Sequence, residues 1–110
     1  MSSKSLGSAQ YDALQIFNTV HLVAYGENPT YGYKNYFVRS PLAVFPPLHT
    51  FYSDPPSGFV LPALAPFVAN TSFPASEAVA SVRVYDSAGE HTVQVRQLSP
   101  VALEIGRAHV

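Results

Sequence analysis

The sequence predicts an all-β domain, specifically a two-sheet antiparallel β-sandwich of about seven short strands with immunoglobulin-like or jelly-roll-like connections. Three observations lead there. Apolar residues recur with a period of two along most segments, the spacing that puts alternate side chains on opposite faces of a strand. The segments are rich in Val, Tyr, Phe and Thr, which suit a pleated surface. Ten prolines cut them into short lengths, as the corners of a sandwich or barrel require. With 47% hydrophobic and 12% charged residues in 110, the chain has the apolar surface for one core, and its length suits a single domain.

The first ten residues, Met1 to Gln10, are mainly Ser, Gly, Ala and Lys, and read as a flexible tail. From Tyr11 to Tyr25 the even positions Leu14, Ile16, Val20, Leu22 and Ala24 are apolar, predicting one long half-buried strand with a bend or bulge near Asn18. Gly26, Pro29 and Gly32 then predict a rigid turn. Tyr25, Tyr31, Tyr33 and Tyr36 flank it as an aromatic cluster.

The run Gly26-Glu27-x-Pro29-Thr30-x-Gly32-Tyr33-x-Asn35 resembles the G-E-x-P-T-x-G-aromatic-x-N signature of small, mostly bacterial β proteins of uncharacterised function. Pro46-Pro47, Pro55-Pro56-Ser57-Gly58, Ala65-Pro66-Phe67 and Val82-Arg83-Val84 stand where that group carries its later motifs, so the similarity spans roughly 20–95. That group commonly has Trp at the position of Tyr33. The resemblance implies a shape and no activity.

Residues 33–44 predict a strand stopped by Ser40-Pro41, and Leu42 to Phe45 a short run ended by Pro46-Pro47. Leu48 to Ser53 is a further strand, and Asp54-Pro55-Pro56-Ser57-Gly58 a turn. Phe59 to Leu61 reads as a short strand stopped by Pro62 and Pro66, and Pro66 to Phe73 as another closed by Pro74. Ala75 to Ala80 is a linker or a single helical turn. The last hairpin pairs Val82 and Val84 with Val95 and Val93, which sets Asp86 opposite His91, Arg83 opposite Gln94 and Tyr85 opposite Thr92. Ser87 to Glu90 is then the loop, with Gly89 as its left-handed residue.

The segment Glu104-Ile105-Gly106-Arg107-Ala108-His109-Val110 reads as the translation of a common sequencing adapter, GAG ATC GGA AGA GCA CAC GTC. It is set aside from fold reasoning, leaving 11–103 as the domain and an expectation that the natural reading frame continues further.

Net charge is -1 and the basic residues are scattered, which gives no footprint for nucleic acid or an anionic membrane. Cysteine chemistry is excluded because the chain has none. His21, His49 and His91 lack the paired spacing of a zinc site, so neither metal nor cofactor is expected. No nucleophile elbow or phosphate loop occurs, and the acids Glu27, Asp54, Glu77, Asp86 and Glu90 fall in turns or linkers. The expectation is a non-enzymatic structural or interaction module with a protein or glycan partner, or a homo-oligomer formed through edge strands. Its candidate ligand face is Tyr25, Tyr31, Tyr33 and Tyr36 with Arg39 as a polar clamp. The alternative is a carbohydrate-binding domain using the same tyrosines. With neither a signal peptide nor a long apolar span in the sequence, the cytoplasm is the default compartment.

Overall fold

Phe17-Asn18 reverses the chain in a two-residue turn, with Ile16 opposite Thr19. The predicted long strand is therefore a hairpin of β1 (Gln10–Ile16) and β2 (Thr19–Thr30). The computed structural model describes residues 4–58 and 60–98, so the adapter-like segment lies outside the described residues. Such a turn exchanges the parity of the two strands. Tyr11, Ala13 and Gln15 point inward from β1, whereas Val20, Leu22 and Ala24 do so from β2. Leu14 and Ile16 consequently do not share a face with Val20 and Leu22, as a single strand would have required. The turn is hard to read because Phe17 takes a φ of 54° where Gly, Asn or Asp is usual.

The second difference lies at Gly26. Strand β2 runs through it to Thr30, with a register shift between Asn28 and Thr30 where two steps of β2 face three of β5. The reversal occurs at Tyr31-Gly32 alone. Gly32 has a φ of 93°, and a Cβ there would lie 2.9 Å from Pro56, so a side chain meets both a backbone and a steric penalty. Strand β3 (Lys34–Arg39) follows, and residues 40–47, including the expected run Leu42 to Phe45, form a loop.

Strand β4 (Leu48–Asp54) runs one residue past its predicted end at Ser53, and β5 (Pro62–Pro74) passes through prolines expected to break it. The pairing explains this. The closing pair Ile16–Thr19 is hydrogen-bonded, so odd residues of β2 bond to β1 and even residues bond to β5. Their β5 partners are Ala65, Phe67, Ala69, Thr71 and Phe73. Pro66 and Pro74 pair with the odd residues Glu27 and Thr19 and turn their missing N–H toward the outer edge, while Pro62, opposite Thr30 beyond the register shift, is the first residue of the strand.

Strands β6 (Ser81–Asp86) and β7 (Gly89–Leu98) form the last hairpin, with Val82 opposite Val93, Val84 opposite His91 and Asp86 opposite Gly89. The register is two residues away from the expected one and the loop is Ser87-Ala88. A shift of two preserves the faces, so Val82, Val84, Val93 and Val95 all point inward as predicted. Gly89 does take a positive φ of 115°.

The seven strands among the described residues belong to one sheet in the order β3-β4-β6-β7-β1-β2-β5, which curls until β3 approaches β5 and nearly closes a barrel. The pairs β1–β7 and β4–β6 are parallel, so the sheet is mixed rather than antiparallel. The two separate sheets of the expected sandwich are here joined through β7 and β1. Inside lie Val20, Leu22, Phe51, Phe73, Val82 and Val84. Residues 4–9, read from composition as tail, run against β4: Gly7 N–H donates to the Phe51 carbonyl at 3.1 Å and Ser53 N–H to that of Ser5 at 2.8 Å.

The ladders place Lys34, Asp54, Asp86, Gln10, Thr30 and Pro62 at one end, called lower below, and Arg39, Leu48, Ser81, Leu98 and Pro74 at the upper end. The crossing from β5 to β6 covers the upper end. The buried Gln15 side chain holds it, accepting from Val79 N–H at 2.8 Å and donating to the Glu77 carbonyl at 3.0 Å, while Gln97 donates to the Val79 carbonyl at 2.9 Å.

Candidate functional site

The residues expected to form a ligand face are dispersed. Tyr25 projects from the outer face of β2 opposite Val68 of β5, and Tyr31 stands exposed in the turn. Tyr33 lies at the lower end beside Asn28, Pro29 and Ser53. Tyr36 is on the outer face of β3, stacked on Tyr52 with centroids 5.4 Å apart. Its hydroxyl donates to Asp54 Oδ2 at 2.6 Å, and this bond pushes its pKa up to about 12 while holding the Asp54 carboxyl below its ordinary value. Arg39 is at the far end of β3, five residues and so roughly 17 Å from Lys34. It points inward, with its guanidinium 4.6 Å from the centre of the Phe73 ring.

Asn35 of the signature and Asn28, at one of its variable positions, have a structural role. Asn35 Nδ2 donates to Asn28 Oδ1 at 2.9 Å, Asn28 Nδ2 returns a 3.3 Å bond, and Ser53 Oγ donates to Asn35 Oδ1 at 2.6 Å. The pair ties the two strands leaving the Tyr31-Gly32 turn across the lower end of the barrel.

What the sequence reading did not single out is the outer face of β5. Leu64 and Val68 project there at 67% and 70% exposure, with Leu61 at 72% just ahead of the strand and Tyr25 alongside on β2. Glu27 is the one charged residue paired with β5 over this stretch. The signal was in the sequence: residues 61–69, Leu-Pro-Ala-Leu-Ala-Pro-Phe-Val-Ala, are apolar at both parities. Runs apolar at both parities are otherwise found in strands buried on both faces.

A second group missed as a unit surrounds Asp86, whose side chain is 1% exposed. Its Oδ2 accepts from the Tyr11 hydroxyl at 2.5 Å, while Oδ1 accepts from Ala88 N–H and lies 2.8 Å from His91 Nε2. Burial raises the Tyr11 pKa above its ordinary value, and the hydrogen bond and charge of Asp86 raise it further, so the phenol stays protonated and donates. The cluster fastens the β6–β7 hairpin to β1. The two-residue register shift hid it, because a partner pair was expected across the ladder rather than a carboxylate beneath a tight turn.

His49 is 2% exposed, packs 5.5 Å from the Phe73 ring, and its Nδ1 has no hydrogen-bond partner. Desolvation, reinforced by the Arg39 charge, lowers its pKa to about 4. Among the described residues no three His, Cys, Asp or Glu side chains converge as metal ligands would.

No family model, curated protein or solved structure matches the chain. The functional reading therefore rests on geometry.

Proposed function

We propose that this domain is a non-enzymatic interaction module whose contact surface is the outer face of β5 and the adjoining part of β2, and that the partner is a protein with an apolar contact surface. The observation that carries the reading is the exposed pair Leu64 and Val68 on the outer face of β5, with Tyr25 opposite Val68 and Leu61 exposed just ahead of the strand, whose inner face already fills the core. Contiguous exposed apolar surface rimmed by polar groups is characteristic of protein contact sites. Packing over the face fits better than pairing along the edge, because Pro66 and Pro74 withhold donors from that edge. A saccharide platform built on Tyr25, Tyr31, Tyr33 and Tyr36 has less support, since the four rings do not converge and Tyr36 stacks on Tyr52.

The test is site-specific photo-crosslinking in the native host. A crosslinker at Val68 is expected to trap a defined protein, whereas one at Gln94, an exposed position on β7, is not. With the trapped protein purified, the double substitution Leu64→Asp and Val68→Asp should weaken binding about tenfold or more without altering the melting curve. Equal crosslinking at both positions, or unchanged affinity of the double variant, would remove this face. If the trapped protein is a second copy, sedimentation should show a dimer that the double variant loses.

A further inference from the structure

Three arginines lie among the described residues, and two are committed. Arg83 donates to the Pro46 carbonyl from Nε at 3.1 Å and from its terminal nitrogen at 3.0 Å, and also meets Glu90 at 3.4 Å. Arg96 pairs with Asp12 at 3.0 Å. Among the described residues no oxygen accepts from the Arg39 guanidinium, which rests on the Phe73 ring instead. Contact with a ring face holds a guanidinium in place without using its N–H donors, which lie in its plane.

Beside Arg39 is a cavity of about 330 Å³ between the β3–β4 loop and the crossing from β5 to β6. Phe45, Pro47, Phe73 and Val79 supply apolar lining, and Phe45 is 75% exposed. The Gln15 and Gln97 bonds to Val79 fix the crossing, so that wall is formed in advance. The volume is at the lower end of the range for small-molecule sites. Glu77 also lines the cavity and makes no ion pair with Arg39, so the guanidinium charge is not neutralised from within.

We propose that this cavity binds a small organic anion, a single carboxylate carried on an apolar or aromatic body, with Arg39 taking the carboxylate and Phe45 and Phe73 flanking the body. A fork of N–H donors suits the two oxygens of a carboxylate. Glu77 makes a dianion such as phosphate the poorer fit. The site is independent of the β5 outer face, so the failure of either leaves the other standing.

The test is an NMR titration of the full chain with benzoate, and with benzyl alcohol as the uncharged counterpart. Benzoate should give saturable shifts at the Arg39 side chain, Phe45 and Val79, and benzyl alcohol should bind about tenfold or more weakly, having lost the charge-assisted hydrogen bonds. His49, whose titration the Arg39 charge helps to depress, should move toward its ordinary value as benzoate binds. Arg39→Gln, at an exposed position, should lose benzoate affinity to a similar degree while keeping the wild-type circular dichroism spectrum. Phe45→Ser, also exposed, should weaken both compounds. Absence of saturable benzoate shifts, equal binding of benzyl alcohol, or wild-type affinity in Arg39→Gln would overturn the proposal.

Discussion

Acidification should weaken the fold through His49 before the carboxylates contribute. The imidazole is buried with an unpaired Nδ1, and its pKa falls from 6.5 to about 4. A base whose native pKa is depressed is protonated first in the unfolded chain. Its stabilising contribution is complete above pH 6.5 and is lost as the pH falls toward 4, where the native ring also titrates. The interval of about 2.5 units, at about 1.4 kcal/mol each, gives a loss of about 3 kcal/mol. That is a large share of the roughly 5–15 kcal/mol that holds a domain together. Asp54, whose pKa is lowered, contributes stability that is present above its ordinary value of 3.8 and is lost as the pH falls below it, so the two windows separate.

The assay is urea unfolding followed by far-UV circular dichroism over a pH series, for wild type and His49→Phe. The wild type should lose about 3 kcal/mol more than the variant between pH 6.5 and 4. At neutral pH the variant should be at least as stable, because it removes a buried polar atom that has no partner. Parallel acid limbs in the two proteins, or a His49 ring that titrates at its ordinary value, would refute the reasoning.

Other substitutions probe the interior. Phe51→Ala, at a fully buried ring, should cost about 3–5 kcal/mol in the same urea assay. Tyr11→Phe removes one of the hydrogen bonds to the buried Asp86 carboxylate and should cost about 1–3 kcal/mol, with faster amide exchange at Ala88. Gly7→Ala would set a Cβ into Ser53 Oγ and 2.6 Å from the Phe51 ring; about 1–3 kcal/mol should be lost, and the Ser53 amide should exchange faster. Val84→Asp should abolish the folded spectrum, whereas Thr92→Asp, at an exposed position of β7, should change stability by less than about 1 kcal/mol.

Alternation made the fold class legible and left the topology hidden, and particular residues show why. Period two is insensitive to a shift of two, so Val82, Val84, Val93 and Val95 were placed on the correct face with the wrong partners. A turn that uses Phe17-Asn18 carries no glycine signal, and the β1–β2 hairpin was read as one strand. Prolines at 66 and 74 look like breaks until their common parity assigns them to an open edge, and Pro62 opens the strand rather than ending one. The single curled sheet depends on the parallel ladders β1–β7 and β4–β6, which join segments distant in the chain and leave no local trace. The tyrosine cluster was inferred from closeness in sequence, yet alternation and the length of β2 send its members to different surfaces. The doubly apolar run 61–69 carried the signal for an exposed apolar outer face, and proline punctuation masked it.

Both proposed surfaces depend on one barrel in which β1 lies against β7 and β4 against β6. Inter-strand nuclear Overhauser effects test this directly. The barrel predicts cross-peaks joining Leu14 to the Arg96 neighbourhood and His49 to that of Val84, in the pattern of parallel ladders. Their absence, with the halves closing as two separate antiparallel sheets, would contradict it.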